Sequence, residues 1–304
     1  MAVSFAARQE ANRRKTILLL ALMASLVALL VWAAGVYLGY SSVGIVPIAV
    51  GISLAGVWGS YYASDRIVLT MTGARLVDES SAPQLFNIVH EVTIAAGMPM
   101  PKVAIVEDEA PNAFATGRDP EHGVIAFTTG ILRIMDREQL QGVAAHEMAH
   151  VANRDTLVSA VAATTAGAIA LLSDMLVRIM WFGGGRRGNR DSRDGGNPLV
   201  LIAAIVVMIL APLAAVLLRA AVSRSRESLA DATGVEFTRN PAGLRRALEA
   251  LAADSTVVQQ TSTAVAHVWI ESPLDDSAVN KLFSTHPPLQ ERIAILRQME
   301  GGVS

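Results

Sequence analysis

The sequence contains no cysteine among its 304 residues. This absence excludes disulfides, thiolate catalysis, iron–sulfur clusters and zinc sites built on cysteine. Any metal bound by the chain must therefore be held by His, Asp or Glu side chains.

Charged residues are also scarce. They make up 17% of the chain, against 52% hydrophobic residues, whereas a soluble globular chain carries about 25% charged residues. The 25 Lys and Arg are balanced by 27 Asp and Glu, so the chain has no excess of positive charge for binding a phosphate backbone. The composition favours a membrane protein and argues against a nucleic-acid partner.

The apolar residues are concentrated in long runs, the first of which lies near the N-terminus. No charged residue occurs between Thr16 and Ser64, and the turn at 40–42 divides this segment into two runs of membrane-spanning length. A secretory signal peptide is the alternative, but the first run is longer than an ordinary signal segment and a second run follows it. We therefore predict a transmembrane hairpin in residues 1–64.

A second pair of apolar runs, 157–182 and 198–218, lies within residues 157–222. We interpret it as a second hydrophobic hairpin and leave open whether both runs fully cross the bilayer. Basic residues precede the first hairpin, and its turn carries no charge, a pattern typical of a cytoplasmic N-terminus. The polar segments 65–156 and 223–304 are then expected on the cytoplasmic side.

The polar segments are predicted to form an α+β, mainly helical fold. In residues 65–156, a helix at 81–96 precedes three short strands at 102–106, 112–117 and 124–128. Asp136 stands three residues before Gln139, the spacing of a capping box, so a helix is expected to begin there. Residues 223–304 are expected to be mainly helical.

The predicted helix carries the segment His146-Glu147-Met148-Ala149-His150. Two histidines four residues apart share one helical face and can bind one metal ion. Glu147 would then lie beside the attacking water as a general base. The alternative is an ordinary helix that happens to carry these three residues.

A catalytic zinc site needs a third protein ligand, and the best donor follows the second hairpin. Glu227 and Asp231 fall on one helical face, so Glu227 can ligate while Asp231 accepts the free N–H of a zinc-bound histidine. Spacing alone equally fits a solvated carboxylate pair. The two apolar runs between His150 and Glu227 would return the chain to the same side of the membrane.

The order of these features resembles the HtpX family of membrane-bound zinc metalloproteases, which are related to the CAAX prenyl proteases. The likeness includes two N-terminal apolar runs, the HExxH segment, a hydrophobic pair and the ExxxD segment Glu227–Asp231. It also includes the segments Asn112-Ala113-Phe114-Ala115-Thr116-Gly117 and Thr285-His286-Pro287-Pro288-Leu289-Gln290-Glu291-Arg292-Ile293. Nearly the whole chain is covered.

The resemblance implies a gluzincin-like protease domain split between residues 65–156 and 223–304. One Zn²⁺ per chain would be held by His146, His150 and Glu227. Glu147 would be the general base, and Asp231 would support the ligands.

The resemblance also carries two further sets of site residues. The strand of Asn112, Ala113, Phe114, Ala115 and Thr116 resembles the family's active-site strand, where an unpaired edge would hold an extended polypeptide by main-chain hydrogen bonds; a plain structural strand is the alternative. His286 and Arg292 match positions near the zinc and are predicted to stabilise the oxyanion, although His286 can equally just begin a terminal helix.

Together these observations predict a zinc endopeptidase anchored in the plasma membrane by several spans, with its active site facing the cytoplasm. By resemblance, its substrates are damaged or misfolded membrane proteins. Two alternatives stay open: an intramembrane HExxH metalloprotease, and a non-catalytic membrane scaffold that retains zinc.

Overall fold

The computed structural model describes residues 43–159, 224–254, 269–270 and 288–301, together with Thr256, Val258 and scattered positions between 10 and 41. Most of the second predicted hairpin lies outside the described residues. So do much of the first apolar run and His286.

Two consecutive helices lead into the polar part of the chain. Helix α1 spans Val46–Tyr62 and α2 spans Ser64–Thr72. Within the described part of the chain, no one helix has both the length and the apolar composition needed to cross a bilayer. The pair Val46–Gly59 and Ser64–Thr72 meets that test together but is bent by 70°.

A four-stranded sheet follows. Its strands are β1 (Arg75–Val77), β2 (Lys102–Val106), β3 (Ala113–Thr116) and β4 (Val124–Thr128), arranged in the order β1-β2-β4-β3. β2 and β4 pair in parallel, whereas β1 and β3 pair antiparallel with their neighbours. The sequence predicted three of these strands and missed β1.

The described part of the chain has six further α-helices, in the chain order α3 (Pro83–Ala96), α4 (Thr129–Ile134), α5 (Arg137–Ala152), α6 (Arg224–Thr238), α7 (Pro241–Ala253) and α8 (Leu289–Gly301). The described part of the chain is thus mainly helical with a small sheet, as the sequence predicted.

Helix α5 is the centre of the fold. It begins where the sequence predicted: Asp136 accepts the N–H of Gln139, and the Gln139 side chain accepts the N–H of Asp136. Eleven of its residues are buried, because α3, α6, α7 and the sheet all pack against it. A helix enclosed in this way holds its side chains in fixed positions, as a functional site requires.

Two glycines allow the helices to pack closely around α5. A Cβ at Gly142 would lie 2.6 Å from the main-chain nitrogen of Leu244 in α7, and one at Gly234 in α6 would lie 3.0 Å from the main-chain nitrogen of His146. Only glycine therefore permits these approaches without a shift of the backbone. Gly234 sets the separation of α6 and α5 at His146.

Candidate functional site

Helix α5 presents two histidines to one point. His146 and His150 are one turn apart, and their Nε2 atoms are 3.3 Å apart. His146 is completely buried, whereas the side chain of His150 is 16% exposed. The pair is therefore open toward solvent only on the His150 side.

Helix α6 brings a buried carboxylate to the same point. Glu227 Oε2 lies 3.6 Å from Nε2 of His146, and Oε1 lies 3.6 Å from Nε2 of His150. Donor atoms bound to one tetrahedral Zn²⁺ at 2.0–2.1 Å are separated by about 3.3 Å. The three side chains thus bring donor atoms together at the spacing and with the chemistry that zinc requires, and His146, His150 and Glu227 could hold the ion.

A buried ion pair lies behind His146. Nδ1 of His146 is 2.9 Å from Oδ1 of Asp231, the contact expected when a carboxylate accepts the Nδ1–H and leaves Nε2 free to ligate. Arg292 donates two hydrogen bonds to the same carboxylate, of 2.9 Å from Nε and 2.7 Å from Nη2. Both Asp231 and Arg292 are almost completely buried, so the pairing compensates two charges that water does not reach.

This ion pair determines how the site binds protons. Burial and the Arg292 cation lower the pKa of His146, but hydrogen bonds to Asp231 and Glu227 outweigh them and raise that pKa to about 9. Burial raises the pKa of Asp231, but Arg292 and His146 lower it more strongly, to about 2. Without a metal, the site therefore holds a proton on His146 near neutral pH.

Glu147 lies between the two histidines in sequence and is also buried, at 2% exposure. Burial raises the pKa of Glu147, and the positive charges of His146 and His150 offset this effect only in part. A carboxylate with a raised pKa binds a proton more readily than an ordinary carboxylate, which suits a general base.

The strand β3 passes beside α5. Ala113 and Ala115 pack in the same core cluster as the helix, while Phe114 faces the other way and packs edge-on against Trp269, with ring centroids 4.8 Å apart. On the outer edge, the N–H of Ile270 donates a 2.9 Å hydrogen bond to the carbonyl of Ala113. The expectation of an unpaired edge is therefore wrong at this point. Substrate binding by Asn112–Thr116 stays a prediction.

The structure brings together most of the residues that the sequence predicted. Contacts join His146, His150, Glu227 and Asp231 to one another and to Arg292. Glu147 is buried within electrostatic reach of this group. The guanidinium of Arg292 is occupied by Asp231, by the carbonyl of Ile270 at 3.5 Å and by Glu227 at 3.6 Å. This geometry favours positioning of the ligands over contact with substrate.

Three residues at the site escaped the sequence analysis. Asp155 contacts His150, Arg226 contacts Asp155, and Ile270 joins β3 to Arg292. For these residues, the only sign in the sequence that one of them belongs to the site is that Arg226 directly precedes Glu227. Asp155 is close to the HExxH segment in sequence but lies beyond the end of the helix.

A buried His-His-Glu donor set, with a glutamate next to the first histidine, defines a metalloprotease site on this fold. The sequence profile described as Peptidase family M48 matches residues 79–300. The chain belongs to this family, and within it to the HtpX proteases that the sequence resembled.

The similar relatives are named alike. The chain is 46% identical over 280 residues to a "Protease HtpX homolog" of Syntrophobacter fumaroxidans, covering 91% of this chain and 97% of the relative. It is 45% identical over 290 residues to the homologue of Streptococcus gordonii, covering 95% and 98%. The homologue of Thermococcus kodakarensis is 48% identical over 242 residues, covering 79% and 81%.

A solved structure shares the fold. The crystal structure of S. mikatae Ste24p aligns with a TM-score of 0.51 at 16% identity, covering 96% of this chain and 67% of that chain. At this identity, the likeness concerns the fold alone.

Proposed function

We propose that this protein is a membrane-anchored zinc endopeptidase that cleaves polypeptides on the cytoplasmic side of the plasma membrane. The observation that carries the proposal is the meeting of three donor side chains: the Nε2 atoms of His146 and His150 lie 3.3 Å apart, and each lies 3.6 Å from one carboxylate oxygen of Glu227. Membership of a peptidase family supports the same reading.

The chemistry follows from the groups around these donor atoms. When bound, zinc supplies Lewis-acid polarisation of the scissile carbonyl and of the attacking water. Glu147 takes the proton of that water and passes it to the leaving amine, a role for which its raised pKa is suited. Asp231 accepts the Nδ1–H of His146, which leaves Nε2 free and would allow it to hold the ion.

The buried cation completes this arrangement. Arg292 fixes the Asp231 carboxylate by two parallel hydrogen bonds, and the planar guanidinium is the side chain best suited to that geometry. We assign Arg292 a positioning role; stabilisation of the oxyanion by Arg292 or His286 stays a prediction.

For the substrate, we propose that Asn112–Thr116 guide an extended polypeptide toward the metal. The pairing of Ala113 with Ile270 implies that a bound polypeptide either displaces this segment or enters beside it. Recognition through the main chain would give broad sequence tolerance, in keeping with substrates that are damaged or misfolded membrane proteins.

Membrane anchoring is supported by the surface of α1. The helix exposes apolar side chains along its length, which are costly in water and favourable in lipid; these are Val46, Ile48, Val50, Ile52, Leu54 and Trp58. At its end, Trp58 stacks on Tyr62 at 5.4 Å between ring centroids, and such aromatic residues are typical of a membrane–water interface.

The test compares the native chain, purified in detergent, with Glu147→Gln and Glu227→Ala. We expect one zinc per chain and casein cleavage from the native protein. Glu147→Gln should retain zinc without activity, because the amide preserves shape but cannot accept the proton; Glu227→Ala should lose both. Retention of zinc in Glu227→Ala, or cleavage by Glu147→Gln, would refute the ligand set or the mechanism.

The two alternatives are separated by the same variants. Full cellular function in a zinc-loaded Glu147→Gln variant would favour a scaffold. An intramembrane protease would cleave a peptide bond within the hydrocarbon layer, so the cleavage sites of membrane substrates distinguish it from the proposed enzyme, which would cut in cytoplasmic segments.

A further inference from the structure

The second histidine of the metal centre has a carboxylate partner of its own. Oδ2 of Asp155 lies 3.4 Å from Nδ1 of His150, on the side of the ring away from His146. Asp155 is only 3% exposed, so its charge is not dispersed into solvent. The contact corresponds to the one that Asp231 makes with Nδ1 of His146 at 2.9 Å.

A turn after α5 produces this contact. Asp155 follows His150 by five residues. In a continuous helix, a residue five positions later would point away from the face that carries the histidine. Helix α5 instead ends at Ala152, and Arg154 adopts the left-handed conformation, with φ of 59°. A non-glycine residue with positive φ is uncommon and costs energy. The turn directs Asp155 back to His150, and the hydrogen bond from Thr156 to the Gly117 carbonyl at 2.9 Å anchors the next residue.

A second buried arginine lies behind Asp155. Nη1 of Arg226 is 3.8 Å from Oδ1 of Asp155, and Arg226 is 8% exposed. Arg226 directly precedes Glu227, so one residue of α6 supplies the third metal donor and its neighbour contacts the carboxylate behind His150. Burial of two opposite charges together is far less costly than burial of either alone.

The two histidines are thus supported in parallel. Arg292 contacts Asp231, which contacts His146; Arg226 contacts Asp155, which contacts His150. A carboxylate on Nδ1 fixes the tautomer with a free Nε2 and raises the basicity of the ring as a ligand.

We propose that Asp155 and Arg226 are positioning residues that hold His150 in its metal-ligating tautomer and orientation, and that couple the turn after α5 to the helix supplying Glu227. The inference deepens the proposed function and rests on its metal centre. Asp155 lies at Nδ1 of His150, away from the ligating Nε2, and Arg226 lies behind Asp155, so both act through the metal affinity of His150.

The experiment measures the zinc dissociation constant of the full chain in detergent by competition with a chromophoric chelator, together with the absorption spectrum after cobalt substitution. We expect Asp155→Ala to weaken zinc binding by about 10–100-fold, the usual effect of losing such a partner. Asp155→Asn should weaken it less, because the amide oxygen still accepts the Nδ1–H. Arg226→Gln should also weaken it and should add no further loss to Asp155→Ala.

Matched controls separate positioning from general damage. Asp108 is an equally buried carboxylate that accepts the N–H of Ala110 at 2.9 Å, so Asp108→Asn should lower the melting temperature without changing zinc affinity or the cobalt spectrum. Asp231→Ala is the positive control for loss of a histidine partner. If Asp155→Ala does not fold, Asp155→Asn and Arg226→Gln carry the test.

Zinc binding of native strength in folded Asp155→Ala, or in both milder variants, would overturn the inference while leaving the proposed function intact. Absence of zinc from the native chain would overturn both. A lowered melting temperature with native zinc affinity would identify Asp155 as structural only and would also overturn the inference.

Discussion

Arg292 and Asp231 form a two-point ion pair in the interior, with donor–acceptor distances of 2.9 and 2.7 Å. The pair joins the C-terminal helix α8 to α6, and through Asp231 it reaches His146. The last helix of the described chain therefore contributes to the metal centre without supplying a ligand.

This relationship predicts the effect of changing Arg292. Arg292→Lys keeps the charge but cannot form both hydrogen bonds, so we expect weaker zinc binding. Arg292→Ala removes the cation from the buried Asp231 and leaves it with His146 as its remaining partner, and we expect it to destabilise the fold by about 3–5 kcal/mol. Zinc titration and thermal melting in detergent measure the two effects. Lower turnover of Arg292→Lys at native zinc affinity would instead assign Arg292 a direct role in catalysis.

The raised pKa of His146 predicts competition between zinc and protons. Below about pH 9 the metal-free site holds a proton on His146, which zinc must displace. The apparent zinc affinity should therefore fall about tenfold per unit of pH below that value. The same proton stabilises the metal-free fold fully below pH 6.5, and this contribution is lost as the pH rises through about 9.

Isothermal titration calorimetry in buffers of different ionisation enthalpy measures the number of protons released when zinc binds. Asp231→Asn removes the carboxylate that raises the pKa of His146, so the pH dependence should become shallower near neutral pH. An unchanged slope in Asp231→Asn would contradict the assignment of the proton to His146.

Gly234 offers a test of helix separation. Glu227, Asp231 and Gly234 lie on one face of α6, and a Cβ at Gly234 would stand 3.0 Å from the main-chain nitrogen of His146. Gly234→Ala should move α6 outward by a few tenths of an ångström and weaken zinc binding. Gly56→Ala is the matched control, because a Cβ there meets no described heavy atom within 4 Å. Equal zinc affinities in the two variants would contradict the prediction, because they would show that the metal-binding side chains keep their positions when α6 moves.

The cysteine-free sequence allows a direct test of topology. Single cysteines can replace the exposed residues Ser41, in the predicted outer turn, and Glu79, in the polar segment. With a membrane-impermeant maleimide, we expect Ser41→Cys to react from outside the cell and Glu79→Cys only in inverted vesicles. Labelling of both variants from the same side would contradict the predicted hairpin. The control is the native chain, which has no cysteine to react with the maleimide.

The features predicted correctly from the sequence are those that depend on neighbouring residues. The capping box of Asp136 and Gln139 is local, and β2 and β4 are β-branched runs at their predicted bounds. β1 was missed because it has three residues, two of them exposed, and its pairing with β2 defines it.

At the site, the same distinction holds. Asp231 was found because it lies one helical turn from Glu227. Asp155 reaches His150 through a left-handed residue at Arg154, a conformation that arginine does not favour and that no local pattern indicates. Ile270 contacts Ala113 and Arg292 through its main chain, so its side-chain type gives no sign of the contact.

The segment Trp269–Ile270 also covers part of an edge of the sheet. β3 forms one margin of the sheet, and its sequence of Ala, Phe, Ala and Thr is apolar enough to recruit foreign strands. The bridge between Phe114 and Trp269 covers this margin with the chain's own backbone. Pairing at this position therefore shortens the stretch of free edge that a strand from another molecule could extend.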